Sequence, residues 1–238
     1  MINSRKIAAV LFFSFSIFGV NASGVQTGKR AVVVSFQHVM ANQQKTEMFK
    51  KIGQLFSKQT WREMPRGVQI LAVSLYKHMT DKVSLKEIFE QNPYLAKYEK
   101  EIYELVSLDV PNQVMIDLLK KLKDEGVVLV LATNKSEEVM ALLQNMYPEM
   151  FALFDSYYFG SYEHGYKPSN EFFVGLRNII NKLANITIKQ EYVYVDANKK
   201  NCDAAQFADY NVRPIWFLSA DKLEKNLVAL GYLPEQRS

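Results

Sequence analysis

Val127 to Ala132 reads VVLVLA, an unbroken apolar run that contains three valines. Strands that are apolar on both alternating faces belong to parallel sheets covered by helices on each side. Tyr192 to Val195 (YVYV) and Pro214 to Leu218 (PIWFL) repeat the type, and Tyr157 to Phe159 (YYF) is a weaker instance. Helical patterns separate them at Pro111 to Asp124, Glu137 to Met146, Asn170 to Leu183 and Asn201 to Ala208. Pro111 at a helix start and Gly126 just past its end are the expected punctuation. This alternation predicts an α/β fold with a doubly wound, mostly parallel sheet.

An earlier strand belongs to the same sheet, Ala31 to Phe36 (AVVVSF). No convincing strand follows between Asn42 and Val106. Helical patterns recur there at Thr46 to Ser57, Arg66 to His78, Ser84 to Gln91 and Leu95 to Val106. An all-helical insertion is therefore expected between the first strand and the rest of the sheet.

The first 22 residues have the form of a secretory signal. Arg5 and Lys6 precede the mostly apolar run Ile7 to Val20, and Val20-Asn21-Ala22 supplies small residues at the two positions a signal peptidase inspects. The run is shorter than the roughly 20 apolar residues of a membrane span, and Ser14, Ser16 and Gly19 dilute it. Cleavage after Ala22 predicts an exported protein, periplasmic or secreted, with no stable membrane insertion once cleaved. The expected organisation is a signal peptide over 1–22, an α/β core over 23–41 and 109–238, and a helical cap over 42–108.

The 238 residues carry a formal charge of +4. Losing Arg5 and Lys6 leaves +2, which gives no basis for nucleic-acid or membrane-surface binding. The lysines between Lys45 and Lys58 are interleaved with Glu47 and apolar residues, as on a solvated helix face. Cys202 is the only cysteine, so no intrachain disulfide can form, and its surroundings suit a buried small residue better than a reactive thiol.

Four short segments fall at the C-terminal ends of the predicted strands, where open α/β sheets place their ligands. They are Ser35-Phe36-Gln37-His38-Val39, Thr133-Asn134, Gly165-Tyr166-Lys167-Pro168, and Asp196-Ala197 with Asn201. Their order resembles the haloacid dehalogenase (HAD) superfamily over Arg30 to about Leu218. The helical insertion and the segment Asn145 to Phe151 look like the helical-cap, small-sugar-phosphate phosphatase branch. The resemblance implies an aspartate nucleophile and an acid/base aspartate at the first strand tip. It also implies a threonine on the phosphoryl oxygens, a lysine that offsets charge, and carboxylates holding Mg2+.

The chain departs from that pattern at its reactive positions. Ser35 stands where the nucleophile belongs and Gln37 where the acid/base belongs; His38 replaces the usual glycine, and Ala197 an aspartate. Thr133, Asn134, Lys167, Asp196 and Asn201 match. An intact site carries a net charge of roughly −3, which suits a divalent cation. Asp196 and Lys167 sum to zero, so Asp196 is expected to pair with Lys167, and no cofactor is expected unless the chain is an active hydrolase using Mg2+.

Two readings compete at each retained residue. Thr133, Asn134 and Lys167 could hold a phosphate, since helix N-termini attract anions. Alternatively, Thr133 and Asn134 end a strand and cap the next helix, Lys167-Pro168 fixes a loop, and Asp196 bonds backbone amides. A Ser35–His38 mechanism would need the His38 ring to reach Ser35, and His78 and His164 are ordinary cap and loop residues. The leading expectation is a non-catalytic or strongly impaired protein that binds a phosphorylated small molecule or a protein partner. The alternative is an active hydrolase of small phosphate esters with altered chemistry. A third possibility is a partner-binding protein whose pocket plays no part.

Overall fold

The computed structural model describes residues 30–43, 50, 85–99, 109–161, 165–184 and 191–235. The signal segment, the helical patterns at Thr46 to Ser57 and Arg66 to His78, most of Leu95 to Val106, and His164 lie outside the described residues. Among the described residues, no helix is long and apolar enough to cross a membrane.

β1 (Ala31–Ser35), β4 (Val128–Thr133), β5 (Ser156–Phe159), β6 (Tyr192–Asp196) and β7 (Val212–Trp216) form one five-stranded sheet in the order β5-β4-β1-β6-β7. Every neighbouring pair is parallel. The chain steps outward from β1 to β4 and β5, then returns across it to β6 and β7. The winding direction reverses between β1 and β6, and in open α/β sheets such a reversal opens a crevice at the strand tips.

The double-sided apolar runs follow from this layering. Val32, Val34, Leu129, Leu131, Val193 and Val195 face one core, filled from α2 (Gln113–Asp124), α3 (Glu137–Met146) and α7 (Ala220–Ala229). Their alternates Ala31, Val33, Val128, Val130, Tyr192 and Tyr194 face the other, filled from α5 (Asn170–Ala184) and α6 (Lys199–Ala208). In α2, Met115, Ile116, Leu118, Leu119 and Leu122 are buried at the three- and four-residue spacing of one helical face. Gly126 follows that helix at φ +72°, the left-handed position that ends a helix and favours glycine.

The structure departs from the sequence reading at the root of the insertion. β2 (Ala41–Gln43) runs into the stretch from Asn42 that was read as strandless, and pairs antiparallel with β3 (Asp109–Pro111), just beyond that stretch. Pro111 ends β3 instead of starting a helix. Asn112 is the cap, its side chain accepting from the Met115 amide at 3.4 Å. Asn112 also donates to Met40 O at 2.8 Å and, from its side chain, to Val39 O at 3.2 Å. Within the insertion, α1 (Leu85–Gln91) is followed by a 3-10 turn over Pro93–Tyr98, and Ile88 and Leu95 pack into the first core. Farther on, α4 (Pro148–Phe151) breaks from α3 at Tyr147-Pro148.

Between β1 and β2 the chain turns tightly, with the amides of Met40 and Ala41 both donating to Phe36 O. His38 holds φ +60° in this turn, which costs an L-residue roughly 1–2 kcal/mol. Glycine removes that cost but adds about 0.5–1 kcal/mol of unfolded-chain entropy. His38→Gly is therefore expected to raise stability by about 0.5–1 kcal/mol, read from the urea midpoint at constant slope.

Candidate functional site

The crevice at the winding reversal is closed around one ammonium group. Lys167 enters from the loop before α5, and its Nζ donates to Ser35 Oγ at 2.8 Å, to Asp196 Oδ2 at 3.1 Å and to Ala132 O at 3.3 Å. An ammonium has three hydrogens, so none remains for a ligand. The side chain is only 4% exposed.

Parallel pairing brings these partners together. Ser35 is level with Ala132 on β4, and Val34 with Val195 on β6, so Ser35, Thr133 and Asp196 end adjacent strands. The Lys167 backbone is fixed independently. Asn134 Nδ2 donates to Lys167 O at 3.0 Å, and Lys167 N donates to Asn134 Oδ1 at 2.7 Å. This two-point bond replaces the expected capping role: the cap of α3 is Ser136, and Asn134 instead joins two loops. Thr133 Oγ1 is buried and accepts from the Lys135 amide at 3.1 Å.

Asp196 is as fully committed as the lysine. Its Oδ2 accepts from Tyr194 Oη at 2.6 Å and Asn201 Nδ2 at 3.0 Å besides Lys167, while Oδ1 accepts from the Asn198 amide at 2.8 Å. Burial pushes the carboxyl upward, but Lys167 and these donors outweigh it and hold it below its ordinary value. Tyr194, two residues back on the same strand face, was not singled out from the sequence. Burial first, and then the Asp196 charge, raise its phenol well above the ordinary range. Cys202 donates to Asp196 O at 3.6 Å, and burial followed by that carboxylate pushes its thiol up to about 12, so it is an inert core residue.

Ser35, Asn134, Lys167, Asp196 and Asn201 thus form one connected network, and Thr133 stands beside it, bonded to the Lys135 amide. Gln37 is half-buried two residues beyond Ser35 and makes no side-chain bond to the network among the described residues. His38 is exposed and likewise has no bond to Ser35. Lys167 contacts Ser35 as a donor, with Nζ giving its hydrogen to Ser35 Oγ, so this contact does not draw the proton from the serine.

Magnesium requires near-octahedral oxygen ligation, with several waters retained. Here one carboxylate oxygen is surrounded by three donors and the other is taken by a backbone amide. The described residues contain no group of three or more His, Cys, Asp or Glu able to hold a metal. The donor set does not fit the ion.

Removing one partner of a buried ion pair leaves the other uncompensated. Lys167→Met is therefore expected to cost about 3–5 kcal/mol by urea unfolding, with much of the loss recovered in Lys167→Met/Asp196→Asn. The folded carboxyl of Asp196 titrates below its unfolded counterpart, so its stabilisation is complete above about pH 4 and is lost as pH falls through the folded value. Urea midpoints measured from about pH 5 down to pH 2 should fall more steeply in the wild type than in Asp196→Asn.

The chain matches no family model and no curated protein. Solved structures do resemble it. A HAD family enzyme from Bacteroides thetaiotaomicron shares 19% identity, covers 79% of this chain and 93% of its own length, and superposes with a TM-score of 0.56. The same enzyme is also known in complex with magnesium and inorganic phosphate. The L-2-haloacid dehalogenase PA0810 shares 14% identity over 89% of this chain and 90% of its own, at a TM-score of 0.53. An L-2-haloacid dehalogenase from Xanthobacter autotrophicus, with chloropropionic acid covalently bound, shares 13% over 87% and 85%, at 0.50. The sheet order and these likenesses together give this chain a haloacid dehalogenase-like fold.

Proposed function

We propose that this chain is an exported, non-catalytic protein of the HAD-like hydrolase fold that works by binding a partner. One observation carries the reading: Lys167 spends all three hydrogens inside the protein, on Ser35, Ala132 and Asp196. Phosphoryl transfer on this fold would need a carboxylate at the Ser35 position and a second at Gln37. Neither is present, and the remaining cation and carboxylate neutralise each other. Asn134 is likewise committed, to both backbone groups of Lys167, and Thr133 Oγ1 accepts from the Lys135 amide. The strand-tip residues that could have cradled a phosphate serve as an internal clamp.

Binding then falls to the outer surface. Phe207 and Tyr210 near the end of α6, with Trp216 and Leu218 at the end of β7, are all large and exposed. Exposed aromatic residues are typical anchors of protein interfaces. β7 closes the sheet and carries Pro214, which has no N–H to offer along the edge. That disfavours added-strand recognition and favours contact through side chains. The signal-like start at residues 1–22 supports export.

The test is turnover of generic phosphomonoesters by the mature protein with and without Mg2+, alongside Ser35→Ala. Both proteins are expected to stay at background, and neither Mg2+ nor inorganic phosphate should shift the wild-type melting temperature. Ser35→Asp/Gln37→Asp/Ala197→Asp restores the missing acids and should gain a saturable Mg2+-dependent shift. Wild-type turnover that disappears in Ser35→Ala would show an active hydrolase and overturn the proposal.

A further inference from the structure

A second buried ion pair lies outside the Lys167 cluster, at the root of the insertion. Lys135, in the loop after β4, places Nζ 3.1 Å from Asp109 Oδ2, and the two side chains are 4% and 0% exposed. Asp109 begins β3, the strand by which the chain returns from the insertion. Although the charges are in contact, neither Asp109 oxygen receives a well-directed hydrogen bond from any of the described residues. A buried carboxylate held by charge alone is a poor source of stability, because desolvation offsets much of the attraction. What such a pair does supply is selectivity, since any arrangement that separates the partners leaves a naked charge in the core.

We infer that Lys135 and Asp109 form a clasp that sets the register and exit direction of the β2/β3 ribbon against the core. The ribbon needs such a device. It has three residues on each strand, and its pairs are Ala41 with Pro111, Asn42 with Val110 and Gln43 with Asp109. Pro111 provides no N–H, and so short an antiparallel pair is marginal by itself. At one end Asn112 bonds to Val39 and Met40, anchoring the ribbon to the turn after β1. At the other end Asp109 meets Lys135 through its side chain, and its carbonyl accepts from Tyr147 Oη at 3.0 Å. The clasp therefore connects the returning strand to the loop that follows Thr133 and carries Asn134. It is a positioning device and is independent of whether the strand tips retain chemistry.

Hydrogen exchange on the full chain tests it. In Lys135→Met and in Asp109→Asn, protection of the β2/β3 amides and of the Asn112 amide should fall by about a hundredfold or more, as loss of one partner of a buried pair implies. The amides of Val33 and Val130 in the central sheet should change much less. Lys135→Met/Asp109→Asn should recover most of the ribbon protection, because no uncompensated charge remains. Asp109→Asn keeps the side-chain shape and carries the test alone if Lys135→Met does not fold. Wild-type protection of the ribbon in Asp109→Asn, an equal loss across the central sheet, or no recovery in the double variant would overturn the clasp.

Discussion

A lysine placed between the tips of three strands, its side chain 4% exposed, must have its hydrogens answered by protein. Ser35, the Ala132 carbonyl and Asp196 supply the answer. That requirement fixes much of the architecture around the site. β1 must end level with β4 to offer a hydroxyl and a carbonyl together, and β6 must end beside β1 to bring the carboxylate. The loop before α5 must then be held at one depth, which Asn134 does by bonding both backbone groups of Lys167. Asp196 in turn requires Tyr194, Asn201 and the turn at Asn198 to satisfy its second oxygen and remaining lone pairs. Each group in the chain of contacts would be a buried liability without the next.

Much of this was legible in the sequence because strand-tip placement is a matter of order and spacing. AVVVSF, VVLVLA and YVYV could only be strands buried on both faces, and in a doubly wound sheet the residues after them converge. The pairing of Lys167 with Asp196 followed from counting charges. The function of Asn134 was not legible. A side-chain amide after a strand can cap the next helix or bridge to another loop with the same local sequence, and the deciding partner lies 33 residues away. Tyr194 could have been found, since a residue two before Asp196 shares its strand face.

The ribbon at the root of the insertion shows where local reading fails for a physical reason. Asn42 and Gln43 have weak strand preference, and three residues per strand give no periodicity to detect. Pro111 has equal local claim to a helix start and to a strand end. Asn112 settles the matter, because its side chain caps α2 while also holding the turn at Val39 and Met40. Asp109 and Lys135 carry no signature at all; only the fold brings them together.

The two buried ion pairs answer different problems, one at the tips of the central sheet and one at the root of the ribbon. Where a site brings several carboxylates together, their repulsion needs a metal ion to offset it, and the site stays open to solvent and ligand. With Ser35, Gln37 and Ala197 at and just beyond the strand tips no such repulsion arises there, and the Asp196 carboxylate is satisfied by protein donors. A ligand reaching for Lys167 or Asp196 would first have to break bonds already made. The network's residues then act as structural supports for the strand tips, and the pressure on them is to remain paired. Lys167 thereby fastens the ends of β1, β4 and β6 to the loop before α5.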